Sequence, residues 1–238
     1  MFDSHENKVP VTITVEARLL GENDRLAADN RQNLSRRGIY TLNMISSPGS
    51  GKTTLLVETI NQVKGRLRCA VIEGDQQTDH DARMIAATGA PVVQINTDSA
   101  CHLDAGLVAG AVSHLELDGV DLLIIENVGN LICPAGYDLG EDDKVVVMSV
   151  TEGEEKPIKY PLIFHLASAV VLTKCDLLPV LRFNLEACLK NIRQVNPHAP
   201  ILQTSAYQPE TLQPWLDWLV QQVNNKHATL KTQEEKEQ

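Results

Sequence analysis

The stretch Ser46-Ser47-Pro48-Gly49-Ser50-Gly51-Lys52-Thr53-Thr54 follows an aliphatic run at Tyr40–Ile45 and opens a helical pattern at Thr53–Lys64. This strand–loop–helix order is typical of a phosphate-binding loop, in which glycines let backbone N–H groups turn toward a phosphate at the positive end of a helix. We expect Lys52 to span the β- and γ-phosphates of a nucleotide and Thr53 to offer its hydroxyl to Mg²⁺. The nucleotide-binding residues expected from this loop are Gly49, Ser50, Gly51, Lys52, Thr53 and Thr54.

The loop departs from the usual pattern G-x-x-x-x-G-K-[ST] at its first position, where Ser46 replaces glycine. The alternative interpretation is a glycine-rich turn that only caps a helix. Gly49, Gly51 and Lys52, in their strand–loop–helix setting, favour the phosphate loop.

Short aliphatic runs recur along the chain, and helical patterns such as Ala105–Leu115 and Leu185–Val195 separate them. Strands buried on both faces of a parallel sheet read as continuous apolar runs of this kind. The alternation predicts an α/β P-loop NTPase fold, an open and mostly parallel sheet of about seven strands with helices on both faces. The predicted strands are Tyr40–Ile45, Cys69–Ile72, Pro91–Ile95, Asp121–Ile125, Val145–Val150, Ala169–Leu172 and Ile201–Gln203.

Residues 1–238 are interpreted as a single domain, because neither an internal repeat nor a linker interrupts the pattern. A short N-terminal extension, about residues 1–38, is expected to hold an edge strand at Val11–Val15 and an exposed helix at Glu22–Arg37. The polar C-terminal tail, about residues 224–238, is expected to be frayed.

Two acidic residues stand at the ends of predicted strands. Asp75 closes Ile72-Glu73-Gly74-Asp75, and Glu126 follows the run Asp121–Ile125. In an open α/β sheet the ligand lies at the carboxyl ends of the strands, so both acids are candidates to hold Mg²⁺ or to orient an attacking water. Gly129 is expected to bring its N–H near the γ-phosphate. The alternative is that Asp75 and Glu126 are ordinary solvated turn residues without a role in binding.

The sequence Thr173-Lys174-Cys175-Asp176 indicates the base that the nucleotide carries. It is similar to the [NT]-K-x-D motif of GTPases, in which a carboxylate accepts hydrogen bonds from N1–H and the exocyclic amine of guanine. Adenine lacks that donor pair and would leave Asp176 unsatisfied. The stem of Lys174 is expected to pack over the base, and Ser205-Ala206 resembles a second short base contact of the same fold.

Cys101-His102 and Cys133 are candidates for a second metal site. Thiolate and imidazole suit Zn²⁺, Ni²⁺ or Cu⁺ rather than Mg²⁺. Their spacing is not that of a zinc finger, and unligated thiols are common, but both loops leave the sheet on its nucleotide side. Three ligands would leave a position for water, or two chains would share ligands across a two-fold axis. The remaining thiols are interpreted as packing residues, Cys69, Cys175 and Cys188.

Composition narrows the class of protein further. The chain of 238 residues has a net charge of −10, which argues against binding nucleic acid or an anionic membrane through bulk charge. Five cysteines are too few for a disulfide scaffold and odd in number, and neither a signal peptide nor a membrane span is evident. We therefore expect a cytoplasmic protein.

Several blocks of the sequence together resemble the HypB family, the GTPases that assist nickel insertion into [NiFe]-hydrogenase. The resemblance runs from about Glu22 to Leu219. It implies a SIMIBI-class GTPase of low intrinsic rate that depends on Mg²⁺ and forms a homodimer controlled by nucleotide or metal. The implied partners are a nickel-delivery protein and the precursor of the hydrogenase large subunit. The blocks that carry the resemblance are 46–54, 71–79, 101–105, 125–134, 138–141, 149–153 and 156–161.

The resemblance also implies roles for individual residues. Cys101, His102 and Cys133 match the family's nickel or zinc site at the dimer interface, and Lys156 matches a lysine that reaches the partner's nucleotide. Residues 97–100 read Thr-Asp-Ser-Ala where we expect T-G-K-G, which is expected to change loop flexibility and metal affinity. For the binding and hydrolysis of GTP, and for GDP binding, Lys52 and Thr53 match the family's phosphate and Mg²⁺ residues. Asp75 and Glu126 match its acidic metal and water residues, and Asp176 matches the residue that recognises guanine.

Three other functions stay open at this point. An ATP-dependent small-molecule kinase would use the same phosphate loop, but Asp176 speaks against adenine. A non-catalytic metal-storage protein would need a richer ligand tract than the single histidine, His5, of the first 45 residues. A urease-type or other metallocentre-maturation GTPase is disfavoured by the Glu126–Pro134 block.

Overall fold

The computed structural model describes residues 15–75, 78–98 and 100–237. In this part of the chain seven strands form one sheet of order β3-β2-β4-β1-β5-β6-β7, and every neighbouring pair is parallel. The strands are β1 Tyr40–Ser46, β2 Cys69–Asp75, β3 Val92–Asn96, β4 Leu122–Glu126, β5 Asp143–Ser149, β6 Ala169–Thr173 and β7 Ile201–Gln203. The predicted open parallel sheet is confirmed, with strand ends displaced by at most three residues.

Helices cover both faces of the sheet, as the alternating pattern predicts. The described helices are α1 Val15–Arg36, α2 Lys52–Val63, α3 His80–Ala86, α4 Ala105–Val112, α5 Lys156–Lys159, α6 Pro161–Leu166, α7 Leu185–Val195 and α8 Gln213–Glu237. None of them is long and apolar enough to cross a membrane.

The aliphatic core lies in layers on either side of the central strand β1. Leu42 and Met44 point to the side of α2 and α8, where they belong to the same cluster as the buried Trp215. Ile45 points to the opposite side and packs with Phe164 of α6. Because successive residues of a strand face opposite ways, β1 is buried on both faces and holds the phosphate loop from a rigid position.

Both termini differ from the sequence expectation. Of the predicted edge strand Val11–Val15, residues 11–14 lie outside the described residues, and Val15 is instead the first residue of α1. The helix predicted at Glu22–Arg37 is found, but it starts earlier. It ends before Gly38, whose φ of 75° is the left-handed value that glycine adopts freely.

Where a frayed tail is expected, the structure has a helix, because α8 continues through Glu237. Its contacts with the end of α1 supply the physical reason. Lys226 Nζ donates to Ser35 Oγ at 2.6 Å, and His227 Nε2 lies 3.0 Å from the Gly38 carbonyl oxygen. Polar residues therefore order the tail by pairing, although its composition resembles that of a solvated end.

Candidate functional site

The phosphate loop joins the end of β1 to the start of α2 at the carboxyl edge of the sheet. Gly49 and Gly51 have φ values of 74° and 85°, in the left-handed region that side chains disfavour. Ser46, which replaces the usual glycine, is buried and donates its hydroxyl to the Ser47 carbonyl at 3.0 Å. The loop borders a cleft that is closed by the end of β2, by the segment after β4 and by α3.

Gly129 closes the cleft opposite the loop. A side-chain carbon built on Gly129 would lie 3.0 Å from the Pro48 nitrogen, closer than such carbons normally approach backbone. A side chain at this position would therefore require the phosphate loop to shift away from the segment after β4. The approach of the Gly129 N–H to the γ-phosphate stays a prediction.

Lys52 and Thr53 converge on Glu126. The Lys52 ammonium lies 2.6 Å from Glu126 Oε1, and the Thr53 hydroxyl lies 2.7 Å from the same oxygen. Glu126 is fully buried, and its other oxygen, Oε2, has no hydrogen-bond partner among the described residues. A buried carboxylate of this kind is stable only when it is paired with a cation or protonated.

Two further acids stand at the same place, and the sequence interpretation missed both. Asp81 of α3 places Oδ2 2.9 Å from the Thr53 hydroxyl. Glu73 lies beside Glu126 in the β2–β4 register, and burial, together with the negative charge of Glu126, raises its pKa to about 8. The signal available for Glu73 was an acid inside an otherwise apolar strand.

Asp75 lines the cleft as predicted, but its carboxylate serves its own loop. Its Oδ2 accepts hydrogen bonds from the backbone N–H of Thr78 at 3.1 Å and from the Thr78 hydroxyl at 2.7 Å. The carboxylates nearest to the Thr53 hydroxyl are consequently those of Glu126 and Asp81.

The donor set around Thr53 fits Mg²⁺. Hard cations prefer carboxylate and hydroxyl oxygens, and a bound cation would satisfy the buried Oε2 atoms of Glu73 and Glu126. Ser50 Oγ is also buried without a hydrogen-bond partner in the described chain. Ser50 lies in the phosphate loop, where a bound anion would accept a hydrogen bond from its hydroxyl.

The base-recognition motif is tied directly to the phosphate loop. Thr173 Oγ1 donates to the Ser50 carbonyl at 2.5 Å, and Lys174 Nζ donates to the Gly49 carbonyl at 2.7 Å. Thr173, the first residue of the motif, thus makes a structural hydrogen bond to the phosphate loop. Asp176 Oδ1 accepts a hydrogen bond from Ser205 Oγ at 2.5 Å, which fixes the plane of the carboxylate.

A second cleft adjoins these residues, on the side of the phosphate loop away from Glu126. Lys174, Asp176 and Ala206 line it, and the exposed Tyr207 stands at its mouth. Sequence reasoning missed Tyr207, because a tyrosine next to Ser205-Ala206 has no fixed spacing signal. An exposed aromatic ring beside a carboxylate is suited to stacking on a planar base.

Lys156 lies over the phosphate loop of its own chain. Its Nζ contacts Ser47 Oγ and also donates to Glu152 Oε1 at 2.6 Å. Glu152 is held in turn by the Ser149 N–H at 2.7 Å. The expected reach of Lys156 toward a partner's nucleotide stays a prediction.

The structure brings Cys101, His102 and Cys133 together, with one possible ligand atom from each within 4.8 Å of the others. The two sulfur atoms are 2.7 Å apart, and Cys101 Sγ lies 3.6 Å from His102 Nδ1. Burial lowers the pKa of His102, which keeps its imidazole neutral and able to coordinate a metal. Two sulfurs and one imidazole nitrogen suit nickel or zinc.

The loop before this group differs from the glycine-rich form expected from the family. Asp98 adopts a φ of 51°, a left-handed conformation that costs an aspartate more than a glycine. Its N–H donates to Asn96 Oδ1 at 2.9 Å, which supports the turn.

The five cysteines differ in exposure: Cys69 and Cys188 are buried, whereas Cys101, Cys133 and Cys175 are half-buried. The division into two ligands and three packing residues stays a prediction. Cys69 and Cys188 are buried, and burial raises their pKa to about 12 and about 11. Cys175 is half-buried and donates to the Leu172 carbonyl.

Alkylation should separate these groups in the folded protein. At about pH 8 the thiols of Cys69 and Cys188 remain protonated, since thiolate forms only as the pH approaches the pKa. Peptide mass mapping after iodoacetamide is expected to find Cys101 and Cys133 modified first, and added Ni²⁺ should slow that modification. Equal rates at Cys188 and Cys133 would contradict the division.

The fold and the two clefts define a P-loop nucleotide-binding protein that also carries a cysteine–histidine cluster able to hold a metal ion. The sequence profile of the family described as "CobW/HypB/UreG, nucleotide-binding domain" matches residues 41–203, and the chain belongs to that family.

Relatives with assigned names agree with this membership. The chain is 54% identical over 211 residues to "Hydrogenase maturation factor HypB" of Azotobacter chroococcum mcd 1, covering 88% of this chain and 69% of the relative. It is 53% identical over 207 residues to the protein of that name in Escherichia coli (strain K12), covering 87% and 71% of the two chains.

A solved structure supports the fold independently. HypB from Helicobacter pylori, crystallised in complex with nickel, superimposes with a TM-score of 0.82 at 38% identity. The match covers 87% of this chain and 97% of that one.

Proposed function

We propose that this protein is a GTP-hydrolysing metallochaperone that binds nickel, or zinc, and assists nickel insertion into [NiFe]-hydrogenase during maturation. The observation that carries the proposal is the cluster of Cys101, His102 and Cys133 in a chain that also has a phosphate-loop cleft. Cys133 follows Gly129 of the cleft by four residues, so one short segment belongs to both sites. The names of the relatives, which describe hydrogenase maturation, support the same conclusion.

The phosphate loop, Lys52 and two acidic residues have roles in the proposed hydrolysis. Backbone N–H groups of the phosphate loop and the ammonium of Lys52 stabilise negative charge that develops on the phosphates. To reach the phosphates, the Lys52 ammonium must leave Glu126 Oε1 or contact both groups at once, because it lies 2.6 Å from that oxygen. Glu126 or Asp75 then orients the attacking water. We expect a low intrinsic rate, as in the class as a whole.

Mg²⁺ would be held by Thr53, Glu126 and Asp81, with Asp75 at the edge of the set. When bound, it would neutralise phosphate charge and link the nucleotide to the carboxylates of the cleft. Nickel is the cargo of the proposed function, and the sulfur and imidazole ligands keep its site chemically separate from the oxygen ligands of Mg²⁺.

The proposal includes a homodimer, whose formation depends on nucleotide or metal. Three half-buried ligands leave room for a fourth ligand from water or from a second chain. Lys156 lies at the rim of the phosphate loop, where a partner's nucleotide would meet it. A nickel-delivery protein and the hydrogenase large-subunit precursor complete the proposed partners, and a cytoplasmic location stays a prediction.

A nickel titration tests the metal site. Cys101→Ser and Cys133→Ser replace a soft thiolate by a hydroxyl, and each is expected to weaken nickel binding by about tenfold or more. Cys175→Ser is the matched control, because Cys175 is equally half-buried but lies in the base motif. The thiolate-to-nickel absorption band gives the measurement. If all three variants bound nickel like the unmodified protein, the proposed cargo site would be wrong.

A role in urease maturation is the nearest alternative. The relative from Helicobacter pylori (strain J99 / ATCC 700824), 39% identical over 221 residues, is named "Hydrogenase/urease maturation factor HypB". The relatives at 53–54% identity carry the hydrogenase name alone, which favours hydrogenase as the target.

A further inference from the structure

The buried amide of Asn127 lies between the two proposed sites. Its Oδ1 accepts hydrogen bonds from the N–H of Leu103 at 3.2 Å and from the N–H of Val128 at 3.0 Å. Its Nδ2 donates to Asn43 Oδ1, 3.2 Å away on the central strand. The residue before it is Glu126 of the cleft, and Leu103 directly follows His102. One side chain therefore joins the metal-binding loop to the phosphate cleft.

Leu103 makes a second contact with the nucleotide side. It is fully buried, and a side-chain carbon added to Gly74 would lie 3.0 Å from it. Gly74 separates Glu73 from Asp75 at the end of β2. Because the interior is closely packed, a shift of the end of β2 displaces Leu103.

On its other side the metal-binding loop is anchored to α1, which does not line the phosphate cleft. The N–H of Ala105 donates to Asn23 Oδ1 at 2.9 Å, and Asn30 Nδ2 donates to the Ala105 carbonyl at 2.9 Å. Asp104 accepts from the N–H of Leu107 at 2.8 Å and so fixes the start of α4. Because residues 104 and 105 are held in this way, a movement of Asn127 is expected to shift the segment before them, which carries Cys101 and His102.

We propose that Asn127 is a positioning residue through which the nucleotide state sets the separation of the metal ligands. The inference rests on the proposed function and extends it. Cys133 is connected to the cleft segment by the chain itself, and Cys101 with His102 is connected by the Asn127–Leu103 hydrogen bond. Glu126 responds to the γ-phosphate through Mg²⁺ or the attacking water, and Gly129 responds through its N–H. These contacts move both halves of the metal group, so nickel affinity differs between the GDP and GTP states. By linkage, nickel changes nucleotide affinity by the same factor.

The test compares nickel affinity in GDP and in a non-hydrolysable GTP analogue for two variants. Asn127→Ala removes the hydrogen bond to Leu103, and Asn23→Ala is the matched control. That control deletes another buried amide, which holds the same loop at Ala105, two residues after Leu103. We expect the two affinities to differ by about fivefold or more in the unmodified protein and in Asn23→Ala, and by less than about twofold in Asn127→Ala.

Hydrogen exchange of the unmodified protein tests the same link without a variant that risks misfolding. The amide of Leu103 is expected to change its protection between the two nucleotide states, while the amide of Ala105 keeps its own. An unchanged Leu103 amide, or an Asn127→Ala protein that retains the full affinity ratio, would overturn the inference. Equal nickel affinities in an unmodified protein that binds both nickel and GTP would overturn it alone. A protein that binds neither would overturn the proposed function with it.

Discussion

Lys52→Met is expected to lower GTP turnover by about 10²–10³-fold or more and also to destabilise the nucleotide-free protein. The loss of turnover follows from removing a cation that stabilises phosphate charge in the transition state. The loss of stability follows from Glu126, which stays buried without the ammonium 2.6 Å from its Oε1. Breaking a buried pair in this way costs about 3–5 kcal/mol. Steady-state phosphate release and urea unfolding measure the two effects.

The double variant Lys52→Met/Glu126→Gln separates the two effects. It removes both charges, so we expect most of the free energy of unfolding to return while turnover stays low. Lys64→Met serves as the control, since Lys64 is an exposed lysine just after the other end of α2. Normal turnover in Lys52→Met, or a double variant that is less stable than the single one, would contradict the assigned roles.

The sheet and the phosphate loop could be predicted from the sequence because their signals are local. An aliphatic run buried on both faces and a glycine-rich turn before a helix are each visible within a few residues. Glu73 and Asp81 were missed for the opposite reason. Their place beside Thr53 depends on the register of β2 with β4 and on how α3 returns to the sheet.

The cluster of Cys101, His102 and Cys133 depends on a contact that the spacing of these residues in the sequence does not predict. Cys101-His102 follows β3 and Cys133 follows β4, and β2 lies between those strands in the sheet. The metal-binding loop therefore has to cross the end of β2 to reach Cys133. Gly74 permits this crossing, since any side chain there would meet Leu103. This role of Gly74 depends on packing between distant residues and has no local signal in the sequence.

The C-terminal helix gives the same lesson for a polar segment. Composition predicts a frayed end, because apolar residues are too few to bury a face. Lys226 and His227 instead find partners at the end of α1, about 190 residues earlier in the chain. Such pairing between distant polar residues is not visible in any local window of the sequence.

Asp176→Asn is expected to weaken GTP binding by about 100-fold or more and to improve the binding of xanthosine triphosphate. Guanine presents two donors, N1–H and the exocyclic amine, which the two oxygens of a carboxylate accept. An asparagine offers one acceptor and one donor, and its NH₂ group faces the guanine amine unpaired. Xanthine carries a carbonyl in place of that amine, so the amide of asparagine complements it.

The surroundings of Asp176 make this exchange conservative for the fold. Ser205 Oγ donates to Asp176 Oδ1 at 2.5 Å, and the oxygen of an asparagine amide accepts the same bond. Asp217→Asn on α8 is the matched control, because it changes the same charge at a side chain that is 61% exposed. Competition with a fluorescent GTP analogue measures all affinities. A gain for xanthosine triphosphate cannot come from misfolding, whereas unchanged GTP affinity would mean that Asp176 does not read the base.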